Sequence, residues 1–257
     1  MNLEEMKIVV TGGASGMGRD FCLSLVRAGA SVAACDMNEE GLASLADEAA
    51  DAPGTLKTYV ANVADESAVT ELFEQASADL GGLNGLINNA GIIRDGTLVR
   101  VDRETGKVSK TMSLRSWQSV IDVNLTGPFL CTREFCSRVI DNGLAPAVVV
   151  NISSISRHGN MGQSNYSAAK AGLMAMNTVW AKEMTRHGIR FGAIAPAPVD
   201  TPILRNMKPE ALEMMLKKMV PMRRPASTDE VFSAVKFIIE CDYFTGRCID
   251  IDGGMRI

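Results

Sequence analysis

The stretch MKIVVTGGASGMG, residues 6–18, joins a short apolar run to a turn that is rich in glycine. Residues 6–10 have the composition of a buried strand, and the apolar positions from Met17 to Val26 recur with the spacing of a helix. The stretch therefore predicts a strand, a tight turn and a helix, which together form the first unit of an α/β fold.

The same alternation continues to the end of the chain. Further strands are expected at 31–35, 55–60, 85–88, 147–152, 189–195 and 248–252, and helices at 39–50, 66–80, 114–140, 163–186 and 229–240. No linker, repeat or low-complexity tract separates these segments. Alternating strands and helices with short connections predict a single α/β domain over 1–257, a doubly wound parallel sheet of about seven strands with helices on both faces.

One segment, 96–113, interrupts this alternation. Its sequence GTLVRVDRETGKVSKTMS places two runs with strand character on either side of a turn that contains Gly106. We expect a small β-hairpin there, inserted at the rim of the sheet. A plain surface hairpin and a role in admitting substrate both fit this pattern.

The composition excludes several classes of function. The net charge of −4, the pI near 5.4 and the absence of a concentrated basic run argue against nucleic-acid binding. No apolar stretch is long enough to cross a membrane, and the acidic start MNLEEMK resembles neither a signal peptide nor a transit peptide, so we expect a cytoplasmic protein. Six cysteines without a C-x-x-C pair, and only two histidines, predict reduced thiols and no metal.

The glycine-rich turn is a candidate phosphate site. Gly12, Gly16 and Gly18 have the spacing G-x-x-x-G-x-G between the first strand and the first helix. Glycines at such a turn let the backbone approach a pyrophosphate, and the N-terminus of the helix stabilises its charge. A tight turn without a ligand would require the same glycines, so this signal needs further support.

Asp36 supplies that support. It ends the second strand, 18 residues beyond Gly18, where an acid accepts hydrogen bonds from a ribose 2′-hydroxyl and repels a 2′-phosphate. Ser15 and Met37 leave no basic residue at the positions that a 2′-phosphate would need. We therefore predict NAD rather than NADP, the alternative for Asp36 being an acid that only leads into a turn.

Other turns at the same edge complete the predicted cofactor site. Asn62 and Val63 follow the third strand, and the motif NNAG, 88–91, follows the fourth. Ligands of open parallel sheets bind beyond the carboxyl ends of the strands. Besides the residues already named, the predicted cofactor contacts are Met17, Asn89, Ala90 and Gly91.

A second motif, NYSAAKA at 165–171, places Tyr166 four residues before Lys170, on one face of a helix. A cation at about 4 Å, in an effective dielectric of about 20, would stabilise a phenolate by about 4 kcal/mol and bring its pKa from about 10 to near neutrality. We expect Tyr166 to act as the acid and base, while Ser153, which follows a buried strand, binds the substrate oxygen. Taken singly, each residue has another interpretation: Tyr166 could serve packing, Lys170 could lie on a solvated surface, and Ser153 could cap the end of a strand.

The ordered set resembles the short-chain dehydrogenase/reductase family in its NAD(P)-dependent, single-domain form. The set comprises Gly12, Gly16, Gly18, NNAG, Asn124, Ser153, Tyr166 and Lys170. The resemblance covers nearly the whole chain and implies a Rossmann-type sheet, a Ser-Tyr-Lys centre and a homotetramer. It further implies that Asn124 holds a water that links Lys170 to solvent.

The same resemblance implies contacts beyond these motifs. In PAPVDTP, 196–202, it assigns Pro196, Val199 and Thr201 to the nicotinamide, although Ala197 stands where the family commonly has glycine. Tyr166 and Lys170 also belong to the implied cofactor site. The resemblance implies that the segment 197–222 covers the substrate, although its methionines also suit core or interface packing.

Substrate contacts are predicted for Ser153, Tyr166, His158 and Gln163, although His158 also suits an exposed loop. The sequences NNAGIIRDGTL and TGRCIDIDGG resemble the branch with 3-oxoacyl reductases and 3-hydroxyacyl-CoA dehydrogenases. The expected reaction is NAD-dependent hydride transfer to or from a small molecule, most simply a 3-hydroxyacyl or 3-oxoacyl thioester. The alternatives are a dehydrogenase of a steroid, polyol or alicyclic alcohol, and a non-catalytic NAD-sensing subunit.

Overall fold

Strands and helices alternate as expected in the computed structural model, which describes residues 1–255 apart from the side chain of Ile203. The last two residues of the predicted domain, 256 and 257, lie outside the described residues. The strands are β1 Lys7–Thr11, β2 Ser31–Asp36, β3 Thr55–Val60, β4 Gly85–Asn88, β5 Val99–Val101, β6 Val108–Thr111, β7 Ala147–Ile152, β8 Ile189–Pro196 and β9 Arg247–Ile251.

The helices lie between these strands. They are α1 Gly16–Arg27, α2 Glu39–Glu48, α3 Glu66–Leu80, α4 Leu114–Ile121, α5 Gly127–Asp141, α6 Ser164–Met184, α7 Pro202–Arg205, α8 Pro209–Met219 and α9 Thr228–Glu240. Short 3-10 turns occupy Leu3–Glu5, Ile155–His158 and Thr185–His187. Among the described helices, none combines the length and the apolar character needed to cross a bilayer.

The main sheet has seven parallel strands in the order β3-β2-β1-β4-β7-β8-β9 within the described residues. This confirms the predicted fold class. The chain winds outward from β1 to β3, then crosses back so that β4 lies on the other side of β1. The side on which successive strands are added to the sheet therefore changes between β1 and β4. At such a point doubly wound sheets open a crevice at their carboxyl edge.

Each face of the sheet buries its own apolar layer. In β1, Ile8 and Val10 point to the face that α1, α2 and α9 cover, and Phe21 of α1 packs into the same layer. Val9 points to the opposite face and packs in a layer with Phe73 of α3 and residues of α5. The alternation of side chains along a strand explains why a run of consecutive apolar residues is needed when both faces are covered.

The helical stretch predicted over 114–140 is confirmed, but its middle segment, Asp122–Thr126, is π-helical and separates two α-helices. The backbone N–H of Gly127 donates to the carbonyl of Asp122, five residues back. The next residue, Pro128, has no N–H and cannot donate to the carbonyl of Asn124, as a continuous α-helix would require. The proline thus explains why the helix widens at Asn124.

Two predicted peripheral segments have definite structures. Strands β5 and β6 pair as an antiparallel hairpin inside 96–113, apart from the main sheet. The segment 197–222 contains α7 and α8, and Leu216 of α8 packs with Ile155 and Val220. Since Ile155 follows β7 closely, α8 lies against the segment that also carries Ser153.

Candidate active site

A crevice of about 420 Å³ opens at the carboxyl edge of the sheet, where the turns after β1, β2, β3, β4, β7 and β8 meet. Its volume is in the range of sites for cofactors and other small molecules. The predicted residues that line it are Gly12, Ser15, Gly16, Met17, Asp36, Met37, Asn62, Val63, Asn89, Ala90, Gly91, Ser153, Tyr166, Lys170 and Thr201. The topology therefore brings residues from six turns to one place.

The turn after β1 has the shape of a phosphate cradle. Gly16 has a φ of +54°, which favours glycine, and a Cβ on Gly18 would lie 2.1 Å from the carbonyl oxygen of Gly12. The amide of Asn89 holds the turn by donating to the carbonyls of Thr11 at 3.0 Å and Gly12 at 3.2 Å.

The start of α1 completes this cradle. Ser15 occupies the N-cap position of α1 and lines the crevice. Within the described chain its side chain makes no capping hydrogen bond to the first turn of the helix. Backbone N–H groups at a helix start bind anions, so the residues present fit a dinucleotide pyrophosphate.

The carboxylate of Asp36 lies at the other end of this cradle. Its Oδ2 accepts a hydrogen bond from the N–H of Ala14 at 3.1 Å, and its Oδ1 accepts one from the N–H of Asn38 at 3.0 Å. Each oxygen keeps a further lone pair, which a ribose hydroxyl can use. Arg19 does not compensate this charge in the crevice, because its guanidinium donates to Glu48 at 2.9 Å and to the carbonyl of Gly41 at 3.1 Å.

The third turn is held by Asn62. Its Oδ1 accepts a hydrogen bond from the N–H of Ala64 at 3.0 Å, which fixes the side chain beside the crevice. A second lone pair on that oxygen is available to an adenine amino group. Val63 is buried and lines the same end of the crevice.

Ser153, Tyr166 and Lys170 are held together by β7 and α6. Lys170 is almost fully buried, and its Nζ donates to the carbonyl of Ile152 at 2.8 Å. The same Nζ lies 5.6 Å from the centre of the Tyr166 ring. The Oγ of Ser153 donates to the carbonyl of Lys170 at 3.1 Å, so the end of the strand and the helix position each other.

The expected near-neutral pKa of Tyr166 is wrong for the protein alone. Burial raises the pKa of Tyr166 to about 12; a hydrogen bond with Ser154 opposes this rise and the charge of Asp95 adds to it. Burial also lowers the pKa of Lys170 to about 8. The ammonium faces the ring and bonds to Ile152, and removal from water penalises both charges, so Tyr166 is protonated at neutral pH.

Asn124 acts on the crevice from behind it. Its side chain is fully buried; Oδ1 accepts from the N–H of Ile92 at 3.1 Å, and Nδ2 donates to the carbonyls of Ile92 at 2.9 Å and Val120 at 3.0 Å. Both amide hydrogens are thus used by the backbone, and Oδ1 keeps one lone pair, so the water expected at Asn124 stays a prediction. The side chain also fixes Ile92, which lines the crevice.

Several predicted residues lie outside the lining of the crevice. Gly18 is packed beneath the cradle, and Pro196 and Val199 are buried behind it. His158 is exposed, and Gln163 donates to the carboxylate of Asp95 at 3.1 Å. The structure therefore places neither of these two predicted substrate contacts in the crevice.

Other lining residues escaped the sequence reasoning, which searched for polar and glycine motifs. They are Cys35, Ala61, Ile92, Ile93, Val123, Ile152 and Pro202. Most are apolar neighbours of predicted residues, so adjacency to a motif was the signal that could have found them. Within the described part of the chain, no group of three or more His, Cys, Asp or Glu side chains is placed to hold a metal.

Comparisons with known proteins agree with this geometry. The sequence profile of the short chain dehydrogenase family matches residues 6–212. The chain is 38% identical over 262 residues to the 3-oxoacyl-acyl-carrier-protein reductase FabG of Thermotoga maritima, with 100% of both chains covered. It is 33% identical to the (3R)-3-hydroxyacyl-CoA dehydrogenase of Canis lupus familiaris, covering 99% of this chain and 98% of that protein.

A solved structure has the same fold. A short-chain alcohol dehydrogenase from Sinorhizobium meliloti superposes with a TM-score of 0.84 at 28% identity, over 96% of this chain and 94% of that one.

Proposed function

Since the chain belongs to the short-chain dehydrogenase family, we propose that it is an NAD-dependent oxidoreductase that interconverts a 3-hydroxyacyl and a 3-oxoacyl thioester. One observation carries the proposal: Ser153, Tyr166 and Lys170 line the same crevice as Asp36. Two of the relatives described above are named for 3-oxoacyl and 3-hydroxyacyl substrates, which supports the choice of substrate. The choice of NAD is supported by the charge of Asp36.

The chain's own residues handle the proton. The Oγ of Ser153 turns from the carbonyl of Lys170 to donate to the substrate oxygen, and so stabilises the charge that develops there. In reduction the protonated Tyr166 gives its proton to that oxygen, and in oxidation it takes the proton back. Lys170, whose pKa of about 8 lies near neutrality, exchanges protons readily and stabilises a phenolate when it is charged.

A bound nicotinamide dinucleotide would supply the hydride chemistry, and the positive charge of its oxidised ring would favour a phenolate. The chain's contribution is to hold it in place. The cradle of Gly12 and Gly16 would hold the phosphates and Asp36 the ribose, and Thr201 lies beside Gly16 in the crevice wall. These residues orient the cofactor without taking part in bond changes.

We further propose that the protein assembles as a homotetramer. The support is that α5 and α6 carry apolar side chains on their outward faces, among them Phe129, Ile140 and Val179, each more than two-fifths exposed. Apolar side chains at such positions are typical of subunit interfaces when they cluster.

A substrate panel with a tyrosine variant tests the reaction. Turnover of 3-hydroxyacyl thioesters, steroids and polyols with NAD is followed by nicotinamide absorbance. We expect the thioesters to be turned over, and Tyr166→Phe to lower kcat by about 10³ while dinucleotide binding is kept, because the phenylalanine cannot carry the proton. Tyr243→Phe, at a fully exposed tyrosine, is the matched control and should keep full activity.

The other outcomes decide against the proposal in different ways. Turnover of a steroid or polyol alone would reject the thioester substrate. Tight NAD binding without any turnover would favour a sensing subunit, and full activity of Tyr166→Phe would reject the assigned role of the tyrosine.

A further inference from the structure

The hairpin of β5 and β6 is a well-formed element that contributes no residue to the lining of the crevice. At its tip, Oδ1 of Asp102 accepts hydrogen bonds from the N–H of Thr105 at 2.8 Å and from its hydroxyl at 2.9 Å. Gly106 adopts a φ of +63°, and the N–H of Asp102 donates to the carbonyl of Lys107 at 2.8 Å. The turn is thus closed by several specific hydrogen bonds.

The base of the hairpin is attached to the wall of the crevice. The N–H of Gly96 donates to the carbonyl of Gly162 at 2.8 Å, just before α6 begins. The amide of Asn165, which is fully buried, donates to the carbonyl of Arg94 at 3.0 Å. Because Tyr166 follows Asn165 directly, the hairpin projects from the backbone next to the reactive tyrosine.

The two faces of the hairpin differ in chemistry. Opposed residues share a face: Val99 pairs with Thr111 and, beyond a register shift after Arg100, Val101 pairs with Val108, so three valines and a threonine form one face. The pair Arg100 with Lys110 lies on the other face, as side chains alternate along a strand. We call the first of these the valine face.

The valine face lacks a cover within one protomer. Val99, Val101 and Val108 expose 45%, 53% and 61% of their surface, and no described residue of either strand is buried. An isolated two-stranded hairpin is marginally stable in water, and burial of one face is what stabilises such a pair. A cover supplied from outside the protomer would therefore stabilise the hairpin.

Charge indicates which molecule supplies that cover. The segment 96–113 carries four basic and two acidic residues, a net +2, whereas the whole chain carries −4, so the rest of the chain carries −6. A second copy of the chain therefore offers the hairpin a body of opposite net charge. It is also present whenever the protein is, whereas a substrate carrier would leave the valine face in water between turnovers.

We propose that the hairpin is an assembly arm whose valine face packs against a second copy of this chain. Its attachment beside Tyr166 then couples subunit contact to the rim of the crevice. This interface is additional to the outward faces of α5 and α6, and it does not depend on which alcohol the enzyme oxidises.

The test uses a variant that changes the valine face and preserves the hairpin. Val101→Lys combined with Val108→Glu places opposite charges directly across the two strands, which keeps the pairing and the net charge. The control is Val60→Lys, since Val60 is also 61% exposed and lies on the edge strand β3. Sedimentation velocity over a dilution series gives the concentration at which the assembly half dissociates.

We expect that concentration to rise about tenfold or more in the double variant and to stay near the wild-type value in Val60→Lys. Hydrogen exchange of the wild type should show the amides of β5 and β6 protected in the assembly and exchanging freely on dilution to the monomer. An unchanged dissociation of the double variant would overturn the proposal. So would an equal effect of Val60→Lys, a wild type that is monomeric throughout, or unprotected β5 and β6 amides in the assembled protein.

Discussion

Lys170 both connects α6 to β7 and supplies charge near Tyr166, and its burial lowers its pKa. Its Nζ binds the carbonyl of Ile152, which ties α6 to the end of β7 beside Ser153. The same burial that makes this contact specific removes an ammonium from water, and the pKa of Lys170 falls from its usual 10.5 to about 8. The positive charge that supports a phenolate is therefore carried by an ammonium group that titrates close to physiological pH.

This shift predicts a pH-dependent stability of the free enzyme. Between pH 8 and 10 the unfolded chain keeps the proton on Lys170 and the folded chain has lost it, so stability rises with pH in that window. Relative to Lys170→Met, which cannot titrate, the free energy of unfolding of the wild type should rise by about 2 kcal/mol from pH 8 to pH 10. Urea unfolding of both proteins at each pH measures this difference, and a constant difference would contradict the buried lysine.

Asp36 makes a second prediction, for the choice of cofactor. Asp36→Ala with Met37→Arg removes the charge that repels a 2′-phosphate and adds a guanidinium that binds one. The ratio of kcat/KM for NADP to that for NAD should rise by about tenfold or more. Glu39→Ala is the control, because it removes a carboxylate from the nearby start of α2 that does not line the crevice. An unchanged ratio in the double variant would remove the support for NAD.

At the scale of elements, the interruption between α4 and α5 connects a helix to the crevice. Pro128 prevents a continuous α-helix, and the widened turn brings the side chain of Asn124 to the backbone of Ile92. The loop after β4 is therefore held by an amide rather than by packing. A regular helix would leave the polar groups of Ile92 without this partner.

Asn124→Ala should weaken the fold and the crevice together. It leaves the N–H and carbonyl of Ile92 and the carbonyl of Val120 without their partner, so we expect a loss of about 2–4 kcal/mol in the free energy of unfolding. Dinucleotide affinity should fall as well, because Ile92 lines the crevice.

An exposed asparagine provides the comparison. Asn142→Ala loses one hydrogen bond to the carbonyl of Arg138 at the end of α5 and should cost less than about 0.5 kcal/mol. Urea unfolding measures both variants. Equal midpoints for Asn124→Ala and the wild type would show that the amide does not hold the loop.

At the scale of the molecule, the order of the strands decides where chemistry can occur. The sheet places β1 and β4 side by side although 73 residues separate the end of one from the start of the other. Their turns, carrying the phosphate cradle and the NNAG motif, thus meet at one edge. The hairpin projects from this same edge, so the proposed assembly arm and the crevice share one region of the surface.

Local patterns in the amino-acid sequence were enough to predict the fold class correctly and to propose the reactive residues. Hydrophobic periodicity is a local property, so strands and helices can be read from the sequence directly. Because parallel sheets bind ligands at the carboxyl ends of their strands, the loops that follow these strands can be assigned to one site. Asp36, Asn62 and Asn89 could be assigned to the crevice in this way without coordinates. The spacing of Tyr166 and Lys170 placed both on one face of α6 for the same local reason.

How these residues behave depends on contacts between segments that are distant in sequence. The pKa of Tyr166 depends on burial by distant segments, and two of the three hydrogen bonds of the Asn124 side chain join it to Ile92, 32 residues away in sequence. The apolar residues of the crevice have no motif, since any of them would suit a core. Desolvation and hydrogen bonding are set by what folding brings together, and no local pattern records which groups those will be.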